Sequence, residues 1–396
     1  AGSSGTASAA QTPRAMRVTV HTLGGEEVAA LSAEPLWRRC DLESAIRKHT
    51  GILGPRMRLF HREAELARGD ALADAGVADG SRLSLVWLPA LPVATASHDG
   101  DARIWCTKSG DCLRTFHGHR GEVLSAAFSP EGSRLLTSSA DGTAKLWCAE
   151  SGECVRTFQG HWGAVVSAVF SHDGARLLTA SADRFAKTWC AESGECLRTL
   201  EGHRSAVVSA AFSHDGARLA TASFDRTAKL WRADPGQCVR TLRGHQGAVC
   251  SAVFSSDGAQ LLTASEDGTA KTWCAGSGRC LRTLQGHARP VRFAVFSPEG
   301  SCLLTASADG TARIWEADSG ECLRVFQGHG AAVHSALFSP DGAQLVTASE
   351  DRTAKIWCAE SGDCLRTFQV HGASVASAVF SPEGAPLLAA SEGRQT

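Results

Sequence analysis

Short apolar segments separated by turn residues recur along most of this chain. Within one stretch they read VVSAVF (165–170), ARLLTAS (175–181), FAKTWC (185–190) and CLRTL (196–200), all rich in Val, Leu, Thr and aromatic residues. The intervening SHDG, SADR and AESGE supply the Gly, Asp and Ser that tight turns need. The pattern predicts four short β-strands in each stretch.

This four-strand pattern repeats with a fixed period. Trp recurs every 42 residues from Trp105 to Trp357, and one Ser, one Asp and one His keep the same step. A Gly precedes each of these His residues except the last, where Val370 stands instead. A constant period of this length predicts a repeat architecture whose four-stranded units pack on their neighbours.

The Gly-His pair that begins each copy and the Trp near its end resemble the WD-repeat family. One departure is systematic, because Cys, Arg or Glu follows the Trp where the family usually has Asp. The resemblance implies a mainly β fold, a seven-bladed WD-repeat β-propeller over residues 93–396. Its seventh blade would be closed by residues 93–117 with 374–380, and residues 381–396 would be a decayed extra repeat.

Two segments compete for the second strand of that seventh blade. We expect Val93–Ser97 to supply it, because this segment runs on into Asp99 and Trp105. In the competing tail PLLAASEGRQT, Gly393 stands where the Asp belongs.

Ser, Asp and His in every copy suggest either a hydrolase triad or a structural network. A catalytic triad needs a cleft and an oxyanion hole, which interchangeable copies do not supply, and no Gly-x-Ser-x-Gly motif is present. The family resemblance implies a hydrogen-bonded tetrad instead, which would pair a His and an Asp that are costly to bury alone. We therefore expect no catalytic residue, no metal and no cofactor. The expected tetrads are Ser97, Asp99, Trp105 and His119; Ser139, Asp141, Trp147 and His161; Ser181, Asp183, Trp189 and His203; Ser223, Asp225, Trp231 and His245; Ser265, Asp267, Trp273 and His287; Ser307, Asp309, Trp315 and His329; and Ser349, Asp351, Trp357 and His371.

Cysteine pairs such as Cys148 and Cys154 flank the predicted turn between third and fourth strands. Their spacing is not the Cys-x2-Cys of a zinc site. We expect small buried side chains, with a disulfide under oxidation as the alternative.

Composition narrows the function classes. Forty Lys and Arg residues balance 41 Asp and Glu residues, so the formal net charge is −1 and no global field favours nucleic acid or an anionic membrane. No apolar run spans a bilayer and no signal peptide pattern appears. We expect a monomer without nucleic-acid or membrane partners, located in the cytoplasm, with the nucleus also open.

A different pattern precedes the repeats. After residues 1–15, small and polar and expected to be disordered, MRVTVHTLGGEEVAAL reads as a hairpin. DLESAIRKHTGI reads as a helix that Asp41 could cap, and RMRLFH and SRLSLVWL read as strands. This order resembles ubiquitin across residues 16–88, which implies a small α+β ubiquitin-like (β-grasp) domain, joined to the repeats by a short Pro-rich linker at 89–92.

The resemblance to ubiquitin also implies a surface for recognition by other proteins. Its apolar patch maps to Leu23, Phe60 and Val86, with Ser84 beside them; ordinary sheet surface or core is the alternative. LVWLPALP replaces the diglycine tail of ubiquitin, so we do not expect conjugation.

By resemblance, partners bind a propeller at its top face. The positions concerned are the third and fifth residues after each repeat His and the residue before each Asp, and most are small here. Trp162 is a further candidate, and drift among duplicated repeats is the alternative for every one of them. The partner-binding candidates at these positions are Phe224, Arg292, Glu122, Leu124, Glu266, His334 and Glu350.

These observations predict a non-enzymatic scaffold or adaptor. The propeller would bind a protein or peptide, and the ubiquitin-like domain would dock to ubiquitin-receptor or proteasome components. The alternative is a purely structural WD-repeat assembly platform without a ubiquitin-pathway link. An enzyme would need a catalytic cluster that does not repeat, and the sequence shows none.

Overall fold

The chain divides into two units, Ala1–Ala90 and Leu91–Thr396. The structure is a computed structural model, and it describes residues 15–50, 56–62, 64–66, 71–88, 91–369 and 373–382.

In the N-terminal unit, the described residues form five strands and one helix around a small core: β1 (Met16–Thr22), β2 (Glu27–Ala33), α1 (Arg39–Thr50), β3 (Arg56–His61), β4 (Ala64–Glu65) and β5 (Arg82–Leu88). Strand β1 pairs antiparallel with β2 and parallel with β5, and β5 also pairs antiparallel with β3, which gives the sheet order β2-β1-β5-β3-β4. Alternate residues of β1, such as Val18 and Val20, are fully buried and pack with Leu42 and Ile46 of the helix.

The helix begins earlier than the sequence predicts. It starts at Arg39, so Asp41 lies in its first turn and does not precede it. There the Asp41 carboxylate accepts the backbone N–H of Arg38 at 2.8 Å, a reach-back bond that satisfies an otherwise unpaired donor. The last two residues of the predicted helix, 51 and 52, lie outside the described residues.

In the C-terminal unit, the described residues form seven antiparallel four-stranded sheets, which we number in chain order. Sheet 1 contains β33 (Val375–Phe380), β6 (Val93–Ser97), β7 (Ala102–Trp105) and β8 (Cys112–Phe116); sheet 2 contains β9 (Val123–Phe128), β10 (Arg134–Ser139), β11 (Ala144–Cys148) and β12 (Cys154–Phe158); sheet 3 contains β13 (Val165–Phe170), β14 (Arg176–Ser181), β15 (Ala186–Cys190) and β16 (Cys196–Leu200); sheet 4 contains β17 (Val207–Phe212), β18 (Arg218–Ser223), β19 (Thr227–Arg232) and β20 (Cys238–Arg243); sheet 5 contains β21 (Val249–Phe254), β22 (Gln260–Ser265), β23 (Ala270–Cys274) and β24 (Cys280–Leu284); sheet 6 contains β25 (Val291–Phe296), β26 (Cys302–Ser307), β27 (Ala312–Glu316) and β28 (Cys322–Phe326); sheet 7 contains β29 (Val333–Phe338), β30 (Gln344–Ser349), β31 (Thr353–Cys358) and β32 (Cys364–Gln369).

The strands of sheet 3 begin and end within one residue of the predicted segments. Repeated four-stranded sheets of this kind fit a WD-repeat propeller. The first strand of each sheet contacts the first strand of the next, and β33 contacts both β29 and β9. Among the described residues, the innermost strands therefore form a continuous ring.

Sheet 1 combines the two ends of this unit. Strand β33 pairs antiparallel with β6, with Phe380 opposite Val93, so Val93–Ser97 is the second strand of this sheet. Nearly all of the competing tail, residues 383–396, lies outside the described residues.

The fourth strand of each sheet faces solvent, and here the expectation for the cysteines was wrong. The prediction of small buried side chains holds for Cys358, whereas Cys106, Cys148, Cys190 and Cys274 are half-buried. The described cysteines form no disulfide. The cysteines at the start of the fourth strands are exposed because no further strand covers that edge: Cys112, Cys154, Cys196, Cys238, Cys280, Cys322 and Cys364.

Candidate functional site

A buried chain of hydrogen bonds links three segments of sheet 3. His161 Nδ1 lies 2.7 Å from Asp183 Oδ2, and His161 Nε2 lies 2.8 Å from Thr179 Oγ1. The indole N–H of Trp189 donates to the same Thr179 hydroxyl at 2.9 Å. The network thus ties the connection that precedes β13 to β14, to β15 and to the turn between them.

The same network recurs with nearly constant distances in the following sheets. The members are His119, Thr137, Asp141 and Trp147 in sheet 2; His203, Thr221, Asp225 and Trp231 in sheet 4; His245, Thr263, Asp267 and Trp273 in sheet 5; His287, Thr305, Asp309 and Trp315 in sheet 6; and His329, Thr347, Asp351 and Trp357 in sheet 7.

Sheet 1 differs from the others. Trp105 donates to Thr95 Oγ1 at 2.9 Å, but the Asp99 carboxylate pairs with Arg103 at 2.7 Å. The expected His371 lies outside the described residues.

The expected grouping of the tetrads was wrong in its histidine. His203 is not bonded to Asp183, as expected from the sequence, but to Asp225 at 2.8 Å. The reason is that each His ends the connection that enters a first strand, so it lies beside the turn of the sheet that follows. In sheets 2 to 7, the repeat Asp of each sheet is therefore hydrogen-bonded to the repeat His that precedes it by 22 residues.

The expected hydroxyl was also wrong. Ser181 does not join His161 to Trp189; its Oγ donates to the carbonyl of Gly163 at 3.1 Å and accepts the N–H of Asp183 at 3.2 Å, which fixes the turn. Thr179 forms the bridge instead. The sequence could have identified this threonine, because a Thr recurs every 42 residues, two positions before each repeat Ser. These residues are Thr95, Thr137, Thr179, Thr221, Thr263, Thr305 and Thr347.

Burial sets the protonation state of these histidines. Removal from water lowers the pKa of His161, and the bond and charge of Asp183 only partly offset this effect. In the neutral ring, Nδ1–H donates to Asp183 and Nε2 accepts the Thr179 hydroxyl proton. The pKa is lowered for the same reason in His119, His203, His245, His287 and His329.

The aspartates remain ionised because donors surround them. Burial acts to raise the pKa of Asp225, but hydrogen bonds from Thr227, Arg204 and His203 lower it to about 2. Asp183 lacks the bond from a Thr hydroxyl, because Phe185 occupies that position; its pKa is also lowered. The pKa is likewise about 2 for Asp141, Asp267, Asp309 and Asp351.

The network leaves no free nucleophile or general base. The side chain of His161 is 2% exposed, and both of its ring nitrogens are engaged. The backbone of Gly160 packs against the Trp189 ring. Its φ is +145°, and a Cβ there would lie 3.2 Å from Trp189 Cη2, so only glycine fits without strain. This geometry holds the turn in place and explains why Gly precedes His in the repeat.

The expected partner-facing positions lie along one edge of the sheets, which we call the upper edge. It carries the connections into each first strand and the turns between second and third strands. In sheet 4, the backbone N–H of Phe224 donates to the carbonyl of Ala206 at 3.0 Å, and the equivalent bond forms in the other six sheets. The third residue after each repeat His is therefore next to the residue before the Asp of the same sheet.

The structure brings several charged candidates together across sheets 5, 6 and 7. Arg292 lies 3.7 Å from Glu266, and His334 lies 3.4 Å from Glu350. The ring of His98 is 6.2 Å from that of His334, whose pKa is lowered chiefly by burial. A cavity of about 760 Å³ opens beside Arg292 and Glu350.

The remaining candidates are separate from this charged cluster. On sheet 2, Glu122 is exposed and Leu124 is half-buried. Phe224 on sheet 4 is 47% exposed, and Trp162 on sheet 3 is 96% exposed. Large aromatic side chains in that position are well suited to contact a partner.

In the N-terminal unit, the candidate patch lies on the sheet face opposite the core. Phe60 and Ser84 are paired across β3 and β5, and Val86 follows two residues later on the same face. Phe60, Ser84 and Val86 are half-buried, whereas Leu23, just after β1, is 76% exposed.

The described residues contain neither a metal-binding cluster nor a membrane-spanning helix. Among the described residues, no three His, Cys, Asp or Glu side chains are grouped so that they could hold a metal ion. Within the same parts of the chain, no helix has the length and apolar character needed to cross a bilayer.

Comparisons with known proteins match the repeats. The family described as "WD domain, G-beta repeat" matches six stretches that together cover more than half of the chain: residues 110–148, 152–190, 194–232, 236–274, 278–316 and 320–358. A stretch of 45 residues, 11% of this chain, is 51% identical to the nuclear distribution protein PAC1 of Mycosarcoma maydis. That stretch spans 10% of the length of the relative.

Proposed function

Because this chain belongs to the WD-repeat family, whose repeats generally mediate protein–protein interaction, we propose that its C-terminal unit is a seven-bladed propeller that acts as a non-enzymatic scaffold. A protein or peptide would bind along the upper edge. The observation that carries this proposal is a contrast within the sheets: the networks beneath the upper edge are nearly identical, whereas the side chains on it differ from sheet to sheet.

The contrast matters because the fold constrains the two sets differently. Thr179, His161 and their counterparts are buried and fully bonded, so their identity is fixed by the sheet. Exposed positions such as Phe224 and Trp162 contribute little to that framework and are free to serve recognition.

Selection of peptides on the full chain tests this proposal. A phage-displayed library of random short peptides is panned against the protein, and the recovered peptides are titrated against two double variants. Phe224→Ala/Arg292→Ala alters the upper edge, and the control His172→Ala/His214→Ala alters exposed side chains in the turns at the opposite edge. We expect binding to be lost only in the upper-edge variant. Recovery of no peptide, or equal loss in the control, contradicts the proposal.

We propose a second interaction for the N-terminal unit, as a ubiquitin-like domain that docks to ubiquitin receptors. The exposed Leu23 and the shared face of Phe60 and Val86 support it. A purified ubiquitin-receptor domain should bind the full chain and lose affinity on Leu23→Ala. Leu36→Ala is the matched control, since Leu36 is 73% exposed and precedes the helix. If no receptor domain binds, or both variants weaken binding equally, the unit has no such role and the chain is a structural platform.

A further inference from the structure

Three aromatic side chains interrupt the repeat on two neighbouring sheets. Trp162 follows the repeat His of sheet 3, where the other described sheets have Arg, Gln, Ala or Gly. Phe185 stands where sheets 2 and 4 to 7 have Thr. Phe224 precedes the Asp of sheet 4, where sheets 2, 3, 5, 6 and 7 have Ala or Glu. These substitutions share the upper edge, although each occurs at a different position of the repeat.

The turns place these side chains on the upper edges of two adjoining sheets. The backbone N–H groups of Trp162 and Phe185 donate to the two oxygens of the Asp183 carboxylate, at 3.1 and 3.0 Å. Both side chains therefore leave the backbone beside a single carboxylate. Phe224 occupies the corresponding turn of the adjoining sheet, whose first strand contacts that of sheet 3.

Three arginines lie on the same two upper edges as these aromatic side chains. Arg184, Arg204 and Arg226 are exposed, and none of them forms an ion pair with another described residue. The upper edges of these two sheets comprise residues 159–164, 182–185, 201–206 and 224–227. Within these ranges, Glu201 is the one acidic residue that is exposed.

The other two acids on these edges face inward. The carboxylates of Asp183 and Asp225 are 8% and 10% exposed and accept bonds from the buried histidines. Their negative charge is directed at donors of the network, whereas the guanidinium groups project into solvent. The accessible surface beside Trp162 is therefore cationic.

Two of these arginines occupy a backbone conformation that favours glycine. Arg184 has a φ of +78° and Arg226 a φ of +68°, while Gly142, Gly268 and Gly310 fill the same position in other sheets. A side chain in this left-handed region is sterically strained, whereas glycine is not. The sequence thus places a charge at this surface where glycine is the unstrained choice.

We propose that Trp162, Arg184, Phe185, Arg204, Phe224 and Arg226 form a docking surface for an acidic peptide segment of a partner protein that also carries aromatic or aliphatic side chains. The aromatic rings would bury the apolar side chains of the peptide, and the guanidinium groups would pair with its carboxylates. The inference rests on the proposed function and specifies which partner the upper edge takes.

Three labelled synthetic peptides of equal length test the chemistry. One alternates Glu with Leu and Phe, the second replaces Glu with Lys, and the third replaces Leu and Phe with Ser. Fluorescence anisotropy with the full chain should show binding of the first peptide, and the other two should bind at least about tenfold more weakly, which corresponds to about 1.4 kcal/mol. Its affinity should fall as salt is added. Equal affinity for the Lys peptide, or no binding of the Glu peptide, overturns the inference.

Matched variants locate the binding on this surface. Trp162→Ala, Arg184→Gly and Arg226→Gly should each weaken binding of the Glu peptide about fivefold or more, the loss typical of an interface anchor. Arg352→Gly is the control, because Arg352 has the same strained backbone, with a φ of +69°, but lies on sheet 7. Equal weakening by Arg352→Gly overturns the assignment.

The outcome also separates this inference from the proposed function. If library peptides bind the upper edge, and this binding is lost on Arg292→Ala but unchanged on Trp162→Ala, the scaffold function stands and the proposed docking surface is refuted. If no peptide binds the upper edge at all, both are wrong.

Discussion

His161 and Asp183 are 22 residues apart in sequence, yet the His161 imidazole lies 2.7 Å from the Asp183 carboxylate. The two residues are separated by β13 and β14, so their bond forms only when that hairpin is folded and the incoming connection lies across it. Each network therefore forms only when the strands of its sheet are in the correct register and the connection into the first strand follows its native path.

Removal of the bridging hydroxyl should destabilise the sheet. Thr221→Val keeps the shape of the side chain but leaves the Trp231 indole N–H and His203 Nε2 without a buried partner. Each unsatisfied group costs about 1–3 kcal/mol, so we expect a loss of roughly 2–4 kcal/mol in the free energy of unfolding. Urea unfolding followed by Trp fluorescence measures it. Thr221→Ser retains the hydroxyl and should lose much less; similar losses in both variants would assign the effect to packing.

Stability should decline as pH falls below about 6.5, in two stages. The folded-state pKa of six buried histidines lies below the ordinary value of 6.5, so their contribution is complete above that value and is lost as pH falls, because only the unfolded chain takes up the protons. Five aspartates with a folded-state pKa of about 2, against 3.8 ordinarily, add a second loss as pH falls from about 4 towards 2.

Urea midpoints measured between about pH 7 and pH 5 check the first stage. Each neutral buried histidine contributes a slope of up to about 1.4 kcal/mol per pH unit. His203→Gln should reduce the slope, and replacement of the exposed His172 by Ala should leave it unchanged. A midpoint that stays constant or rises on acidification refutes this account.

Replacement of an arginine in the left-handed backbone region by glycine should raise the stability of the protein. Arg352→Gly removes the steric cost at a φ of +69°, and the extra entropy of the unfolded glycine offsets part of the gain. We expect a net increase of about 0.5–1 kcal/mol in the free energy of unfolding, with a decrease of similar size for Gly268→Arg, whose φ is +80°. Thermal and urea unfolding of the two variants test this, and a loss of stability in Arg352→Gly would show that its side chain makes contacts that outweigh the strain.

The cysteines should differ in their rates of reaction with a maleimide. When the reagent is added to the reduced native protein, the exposed fourth-strand cysteines should be labelled faster than the half-buried Cys250, and peptide mass spectrometry resolves each site. The reason is that burial also raises the pKa of Cys250 to about 12, which leaves little reactive thiolate. Labelling of Cys250 as fast as Cys154 would contradict this account. The fast group is Cys112, Cys154, Cys196, Cys238, Cys280, Cys322 and Cys364.

The repeat period made the strands predictable, because local alternation and turn residues decide where a strand begins and ends. The edges of β13 to β16 match the sequence pattern within one residue for this reason. Helix α1 was less predictable, since Asp41 suits either a cap or a reach-back position and the adjoining chain decides between them.

The composition of the networks was only partly predictable. The family resemblance identified His161, Asp183 and Trp189 as members of hydrogen-bonded networks. The constant 42-residue step, however, fits a pairing of each Asp with the His before it and with the His after it equally well. Whether Asp183 bonds to the His before it or after it depends on which sheet the connection enters. The choice of Thr179 over Ser181 likewise depends on which hydroxyl points at the indole across β14 and β15.

By itself, the sequence determined the strand pattern and the repeat, because these follow from short-range periodicity. Only the tertiary structure decided which His, Asp, Thr and Trp side chains bond to one another, that the fourth-strand cysteines are exposed, and that Trp162, Phe185 and Phe224 lie on the upper edges of two adjoining sheets. Those facts depend on contacts between segments far apart in the chain, and a repeated sequence contains no local signal that distinguishes one neighbour from the next.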